Sequence, residues 1–339
     1  MQDVAHAAGV HQTTVSLALR NDPRLPESTR RRIQRIAEKM HYRSHPLVAA
    51  LVALRRSRRP PRFHATLAFV LREGQRGPNC TLQFEGALAT AEEQGYKLDR
   101  FVLGAGDLTE QRLDSVLRAR NVHGLIIAPL PESRGSFSLD WENFCTVVLE
   151  YTFIKPVFDR VVHDPYGGMR RLMDECRRRD LHRVGLLLSL DGHERTERRN
   201  GAGYWVEQKA DGFFAALPPL FLPAWSPAAF DAWYRRHQPE VIVTSNFFLP
   251  QIQDWIARSG FRPGQDIHLI NVNASPDGPL SGIFQDSYRM GSTAARLVIE
   301  KITRNERGIP SLPHTISSPG QWIEGSTLRP PLPQSSRAG

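Results

Sequence analysis

The sequence predicts two parts: an N-terminal all-α helix-turn-helix domain with a short apolar helix behind it, and a C-terminal α/β body of two lobes built on parallel sheets. Three observations predict this. Excess positive charge sits at one end: of 44 Lys and Arg and 35 Asp and Glu in 339 residues, 13 and 4 fall within residues 1–62, and the remainder balances. Within that end, apolar residues recur at helical spacing. From Phe63 onward, apolar runs of strand length alternate with amphipathic helical stretches, the pattern of parallel strands covered on both faces.

A basic end on a neutral body points to an end that holds a polyanion while the body does something else. A solvated basic tail is disfavoured, because the basic side chains lie among regularly spaced apolar ones. The composition, 40% hydrophobic and 23% charged, is that of a soluble globular protein. No apolar run approaches the ~20 residues that span a bilayer. The start MQDVAHAAGV has no basic region followed by an apolar one, so no secretory signal is read and a cytoplasmic location is expected. Cys80, Cys145 and Cys176 form no zinc spacing and read as reduced thiols, most of them interior; no metal is expected.

Residues 2–8 read as a short helix with Val4, Ala5 and Ala8 on one face, and Gly9 permits a tight turn. A second helix is expected from Gln12 to Leu19, with Val15 and Leu19 inward beside Val10 and with Gln12, Thr13, Ser16, Leu17 and Arg20 on its other face. Asn21-Asp22-Pro23 stops it. A third helix covers Glu27 to Met40, placing Ile33, Ile36, Ala37 and Met40 inward and Arg30, Arg31, Arg32, Arg35 and Lys39 outward. Two short helices around a glycine turn, closed by a third, form the helix-turn-helix pattern. Its second helix fits the major groove, where Gln12 and Thr13 present hydrogen-bonding groups to base edges while the arginines neutralise phosphates.

The run Asp3-Val4-Ala5, Ala8-Gly9-Val10, Thr14-Val15-Ser16, Thr29-Arg30 and Tyr42 resembles the start of the lactose repressor/galactose repressor family of transcription regulators. The resemblance implies that residues 1–43 bind DNA, reading bases through Gln12, Thr13, Ser16 and Leu17 and holding phosphates through Thr14, Arg20, Arg30 and Tyr42. Leu17 stands where the family usually has a guanine-reading Arg, so the operator is expected to differ at that base pair. His11 replaces the usual capping Ser, a poorer N-cap. The family's capping Thr before the position of Met1 is absent, so either residues precede this start or the first helix is frayed.

After Tyr42, the stretch Leu47 to Leu54 is almost entirely apolar and lies between Pro46 and the basic run Arg55 to Arg62. A helix this short has no core of its own and needs a partner. In the family that it resembles, this segment (44–62 here) is the hinge helix and linker. Two such helices pack in the minor groove, where Leu51 would wedge between base steps. The alternative, that Leu47 and Leu51 extend the core of the third helix, is weakened by the break at Pro46.

In the body, strands are expected at residues 66–71, 97–103, 123–128, 146–150, 160–164, 183–188, 240–243 and 267–272, with helices ending at Gln94, at 109–120, 168–179, around Tyr204, at 250–259 and at 290–302. Ligands in such folds bind outside the carboxyl ends of strands. The resemblance continues at Gly124-Leu125-Ile126-Ile127, at Met290-Gly291 and at Trp322-Ile323-Glu324-Gly325-Ser326-Thr327. It implies a two-lobed, periplasmic-binding-protein-like domain over residues 63–330 that binds effector and dimerises. The chain would cross three times between lobes and end in a flexible tail, 331–339. The tail has no leucine-heptad helix, so a tetramer is not indicated. The positions implied to contact the effector are Asn79, Thr81, Asp164, Arg199, Asn246 and Asn273. The family's Asp residues are here Phe247 and Ala274, and its Arg spacing falls on Asn200 beside Arg199. Trp205, Trp225 and Trp255 are candidates to stack on a sugar, though such aromatics more often belong to cores.

No catalytic motif is complete: Gly201-Ala202-Gly203 lacks its last glycine, and His193-Glu194 is not followed by a second His at the required spacing. No enzyme and no cofactor are therefore expected; the resemblance implies a repressor that binds a palindromic double-stranded operator as a homodimer under control of a small molecule, a sugar or related metabolite, with no membrane partner. The alternative is a DNA-binding regulator whose cleft has lost its ligand.

Overall fold

The computed structural model describes residues 2–19, 25–40, 65–75 and 77–332. The chain divides into two compact units, Met1–Ala65 and Thr66–Gly339. The first unit is three helices, α1 (Gln2–Ala8), α2 (Gln12–Leu19) and α3 (Glu27–Lys39). Val4, Ala5, Ala8, Val15, Ala18, Ile33 and Ala37 form its core, with Val10, Leu19, Leu25 and Ile36 packed against them. Met40, expected inward, falls in the turn beyond α3 and is 43% exposed. The expected hinge helix with Leu51, together with Arg20 and Tyr42, lies outside the described residues.

The second unit holds two six-stranded sheets. The first lobe contains β1 (Ala65–Arg72), β2 (Tyr96–Leu103), β3 (Gly124–Ile127), β5 (Cys145–Leu149), β7 (Asp159–His163) and β13 (Thr315–Ser318), in the order β13-β7-β5-β3-β1-β2. The second contains β8 (Val184–Ser189), β9 (Leu220–Leu222), β10 (Val241–Thr244), β11 (His268–Asn271), β12 (Ser281–Phe284) and β14 (Gln321–Ile323), in the order β14-β12-β11-β10-β8-β9. A two-stranded ribbon pairs β4 (Gly135–Ser136) with β6 (Phe153–Lys155). The central strands are buried along their whole length, which is why they read as unbroken apolar runs. Strand β13 joins β7 in parallel, and β14 runs antiparallel to β12.

Helices cover both faces of each sheet: α4 (Pro78–Glu93), α5 (Glu110–Ala119) and α11 (Ser287–Arg304) in the first lobe, and α6 (Pro165–Arg177), α7 (Leu190–Arg195), α8 (Arg199–Lys209), α9 (Pro227–His237) and α10 (Leu249–Ser259) in the second. The chain passes from the first lobe to the second between β7 and α6, returns between β12 and α11, and passes over again between β13 and β14. Each lobe is therefore discontinuous in sequence, as the resemblance implies. Trp225 and Trp255 pack with the core formed by Phe230, Trp233, Ile252 and Ile256 rather than serving a ligand, and all three cysteines are buried and free.

The residues of the Met290-Gly291 landmark owe their identity to packing. Helices α4 and α11 cross so closely that a Cβ on Gly86 would lie 1.9 Å from the Tyr288 carbonyl oxygen, and one on Gly291 would lie 1.8 Å from that of Gln83. The Thr90 and Ser292 hydroxyls hydrogen-bond across the same contact at 2.7 Å. In the second lobe, Arg179 is 1% exposed. It donates to both carboxylate oxygens of Glu324 at 2.7 Å, to Glu175 at 2.6 Å and to the Arg329 carbonyl at 2.7 Å. This is why Glu324 stands in the carboxyl-terminal landmark: it compensates a buried guanidinium. Gly291→Ala is expected to force the two helices apart and to destabilise the second unit by about 1–3 kcal/mol. Urea unfolding checks this: the midpoint falls below that of the wild type, and an unchanged midpoint would contradict the close approach.

Candidate functional site

Two regions gather the side chains singled out from the sequence, one in each unit. In the first unit, Gly9 adopts φ +61°, and the Val10 amide returns to the Ala5 carbonyl at 3.1 Å, which closes the turn between α1 and α2. His11 stands at the N-cap of α2 and acts as one. Its Nδ1 accepts from the Thr13 amide at 3.4 Å and meets the Thr13 hydroxyl at 3.0 Å, and its carbonyl accepts from Thr14 at 2.9 Å. The imidazole thus fills the place of the expected Ser, and it engages a hydroxyl read from sequence as free for bases. Gln12 and Thr13 are exposed, Thr14 and Leu17 half-buried, and Ser16 lies on the same helix. Gln34 of α3 donates to the Ala18 carbonyl at 2.9 Å and so fixes the end of α2. Arg30 is half-buried on α3, whereas Arg31, Arg32, Arg35 and Lys39 are exposed, making α3 a cationic flank.

In the second unit, a cavity of about 510 Å³ opens between the lobes. Its lining comes from the carboxyl ends of both sheets: Glu150 after β5 and His163 at the end of β7 on one side, Ser189 at the end of β8, Asn246 after β10, Asn273 after β11 and Gln285 after β12 on the other. This is where parallel α/β sheets place ligand sites. Asn79, Asn246 and Asn273 line it together.

Thr81, Asp164 and Arg199 do not line that cavity. Thr81 is exposed on α4, turned from the cleft by one helical step beyond Cys80. Asp164 caps α6, accepting from the Gly167 amide at 2.9 Å, and borders a small recess that adjoins the cleft through His163, Asn200, Val272 and Gln285. Arg199 pairs with Glu197 at 3.0 Å and lies 5.0 Å over the Tyr151 ring. Asn200, on which the family's Arg spacing falls, lines the cleft and is 7% exposed.

The cleft is rich in amides. Asn271 donates to the Asn246 side chain at 2.5 Å and accepts from the Asn273 amide at 2.9 Å, and Gln285 donates to Asn273 at 3.1 Å. Opposite, His163 and Glu150 meet at 2.7 Å, with Glu150 held at φ 63°, a strained conformation of the kind that collects at functional sites. Tyr151 donates to the His163 carbonyl at 2.7 Å; burial pushes its hydroxyl pKa well up, so it remains a donor. Gln83 is 2% exposed, lines the cleft, and its Oε1 has no partner. Burial raises the Cys80 thiol more than Arg100 and Gln75 lower it, so this cleft cysteine is protonated at neutral pH. Phe247 lines the cleft at 59% exposure. Arg195 of α7 spans the cleft to the Pro131 and Leu130 carbonyls at 2.6 and 2.8 Å. Sequence reasoning missed Gln83, the Glu150–His163 pair and Arg195; none carries a local motif.

Residues 1–45 match the family described as "Bacterial regulatory proteins, lacI family". The HTH-type transcriptional regulator PtxS of Pseudomonas plecoglossicida is 27% identical over 314 residues, 89% of this chain and 88% of that protein. The HTH-type transcriptional regulator DegA of Bacillus subtilis (strain 168) is 30% identical over 141 residues, 40% of this chain and 38% of that protein. Among solved structures, a complex of the transcriptional regulator CelR with cellobiose superposes with a TM-score of 0.57 at 19% identity, over 96% of this chain and 98% of that one. The lac repressor dimer bound to operator and the anti-inducer ONPF does so with a TM-score of 0.57 at 17% identity, over 97% and 98%. No described helix is long and apolar enough to cross a membrane. The matched helices, the regulator aligned along most of the chain and the shared fold point the same way: residues 1–45 are those of the lacI family of bacterial regulatory proteins, and the chain has the fold of the solved regulators above.

Proposed function

We propose that this regulator is a repressor that works in the cytoplasm. It binds a roughly palindromic operator as a homodimer, with half-sites about one helical turn, ~34 Å, apart. Residues 1–43 carry the DNA-reading helices, 44–62 the hinge, and 63–330 the effector and dimer domain. Gln12, Thr13 and Ser16 read base edges, and Leu17 makes apolar contact with a thymine methyl. Thr14, Arg20, Arg30 and Tyr42 hold phosphates, and Leu51 wedges into the minor groove. The observation that carries this reading is the α2 face: Gln12 and Thr13 stand exposed on a helix whose other side is packed into the core, beside the exposed arginines of α3.

A carbohydrate or related small metabolite is the proposed effector, seated on Asn79, Asn246 and Asn273. The cavity of about 510 Å³ is of ligand size, and its amides offer paired donors and acceptors to hydroxyl groups. The sugar complex of CelR, a protein of the same fold, supports this class. One observation favours a second reading, a cleft that has lost its ligand: the side-chain carbonyl oxygens of Asn246, Asn271 and Asn273 already accept bonds from within the chain, and Phe247 stands where the family has a carboxylate.

Sequencing of genome fragments captured by the purified chain at physiological salt is expected to return one palindrome; enrichment without a shared motif contradicts operator-specific binding. On that site, Gln12→Ala is expected to cost about 1–3 kcal/mol and to relax preference at one base pair per half-site, whereas Arg20→Ala weakens all sequences alike and lowers the salt slope by about one. In a thermal-shift screen of sugars and sugar derivatives, a binder raises the melting temperature of the wild type but not of Asn246→Leu. A flat response from protein that still binds its operator supports the second reading.

A further inference from the structure

We propose that Arg195 is a built-in bridge between the two lobes, a cross-cleft contact supplied by the protein itself that favours their closed arrangement. Its Nη1 donates to the Pro131 carbonyl at 2.6 Å and its Nη2 to the Leu130 carbonyl at 2.8 Å. The donor belongs to the second lobe, at the end of α7, and both acceptors to the first, just beyond β3.

Both ends of the bridge are fixed. The Leu130 side chain is fully buried, and its amide donates to the Thr152 hydroxyl at 2.7 Å. The Arg72–Glu132 pair at 3.3 Å anchors the next turn. On the donor side, the Ser189 hydroxyl caps α7 at 3.0 Å, and His193 stacks on Phe221 with ring centroids 3.9 Å apart. Glu197 and Arg198 both adopt left-handed backbone, φ 50° and 62°, to turn the chain into α8. Strain at two consecutive residues persists only where the surroundings enforce it. The same corner sends Arg199 over the Tyr151 ring of the first lobe at 5.0 Å, a second contact across the cleft.

Because its acceptors are backbone carbonyls, the bridge does not depend on which side chains stand at 130 and 131. Charge-assisted bonds of this kind are the stronger class of hydrogen bond. Lobe closure is a two-state motion, and a bridge made only in the closed state shifts the population towards it with no ligand present. An effector then acts on lobes that are already together, either filling the space beside Arg195 or displacing it.

The inference rests on the reading of the cleft as the seat of control, but its test needs neither DNA nor effector. Spin labels on Ser138→Cys and Gln253→Cys, exposed positions of the first and second lobes, report the inter-lobe distance by pulsed electron resonance in the full-length chain. The bridge predicts one narrow distribution for the parent and a longer, broader one for Arg195→Met, the closed-to-open ratio falling about tenfold or more. Arg198→Met, in the same corner but bonded to Glu194 at 2.8 Å, leaves the parent distribution unchanged. Arg195→Lys, which keeps the charge but loses the two-pronged donor, gives an intermediate distribution and serves if the Met variant does not fold. Parent-like distances in both Arg195 variants overturn the proposal. Failure of the parent chain to bind an operator counts against the regulator reading and leaves these distances interpretable.

Discussion

Parallel pairing is the constraint on which the second unit depends. A parallel strand cannot be followed by a tight hairpin, so each must be reached by a crossover that covers a face of the sheet. The carboxyl ends of the parallel strands then lie along one edge of each sheet, antiparallel β14 being the exception. Because the chain changes lobe three times, the two sheets present these edges to one another. The ends of β5, β7, β8, β10, β11 and β12 converge on one cavity although they are far apart in sequence. Asn246 and Asn273 reach that cavity because each is among the first polar residues after a buried apolar strand.

Such an arrangement works only if each lobe is rigid while the cleft can alter. In the first lobe, rigidity comes from the contact of α4 with α11, where Gly86 and Gly291 let backbone meet backbone and leave no room for adjustment. Lys301 of α11 is buried against Asp159 of β7, whose other oxygen accepts from the His314 amide at 2.7 Å. Burial alone would raise the Asp159 pKa; the bonds from Lys301 and His314 outweigh it and leave it below the ordinary value. Arg179, with Glu175 and Glu324, does the corresponding work in the second lobe. Contacts that cross between these bodies include those of the arginines of the α7–α8 corner.

Much of this was legible in the sequence because burial writes itself as periodicity. The fully buried strands β3, β5, β8 and β10 are apolar runs, and α3 carries its core residues at helical spacing. Strands β12, β13 and β14 were not read: they are short, and β13 is exposed along most of its length, so no apolar pattern marks them. The cleft lining was partly legible. Asn246 and Asn273 follow from their position after apolar strands and Asn79 from the resemblance, whereas Asp164 before Pro165 is a helix cap with proline at the first turn, a local signal that competes with any ligand role. Arg195 has no such signal. Its partners are main-chain carbonyls more than sixty positions away, at Leu130 and Pro131, and a carbonyl leaves no trace in residue identity.

The central claim is that one chain couples an operator-reading end to a cleft, and reciprocity tests it most directly. Once the palindrome and a binder are in hand, operator affinity is measured with and without the small molecule, and the affinity for the small molecule with and without operator. Coupling predicts that both change by the same factor, since linkage between two sites on one protein is symmetric. A small molecule that occupies the cleft and leaves operator affinity unchanged would contradict the account, because a ligand with equal affinity for both states shifts neither.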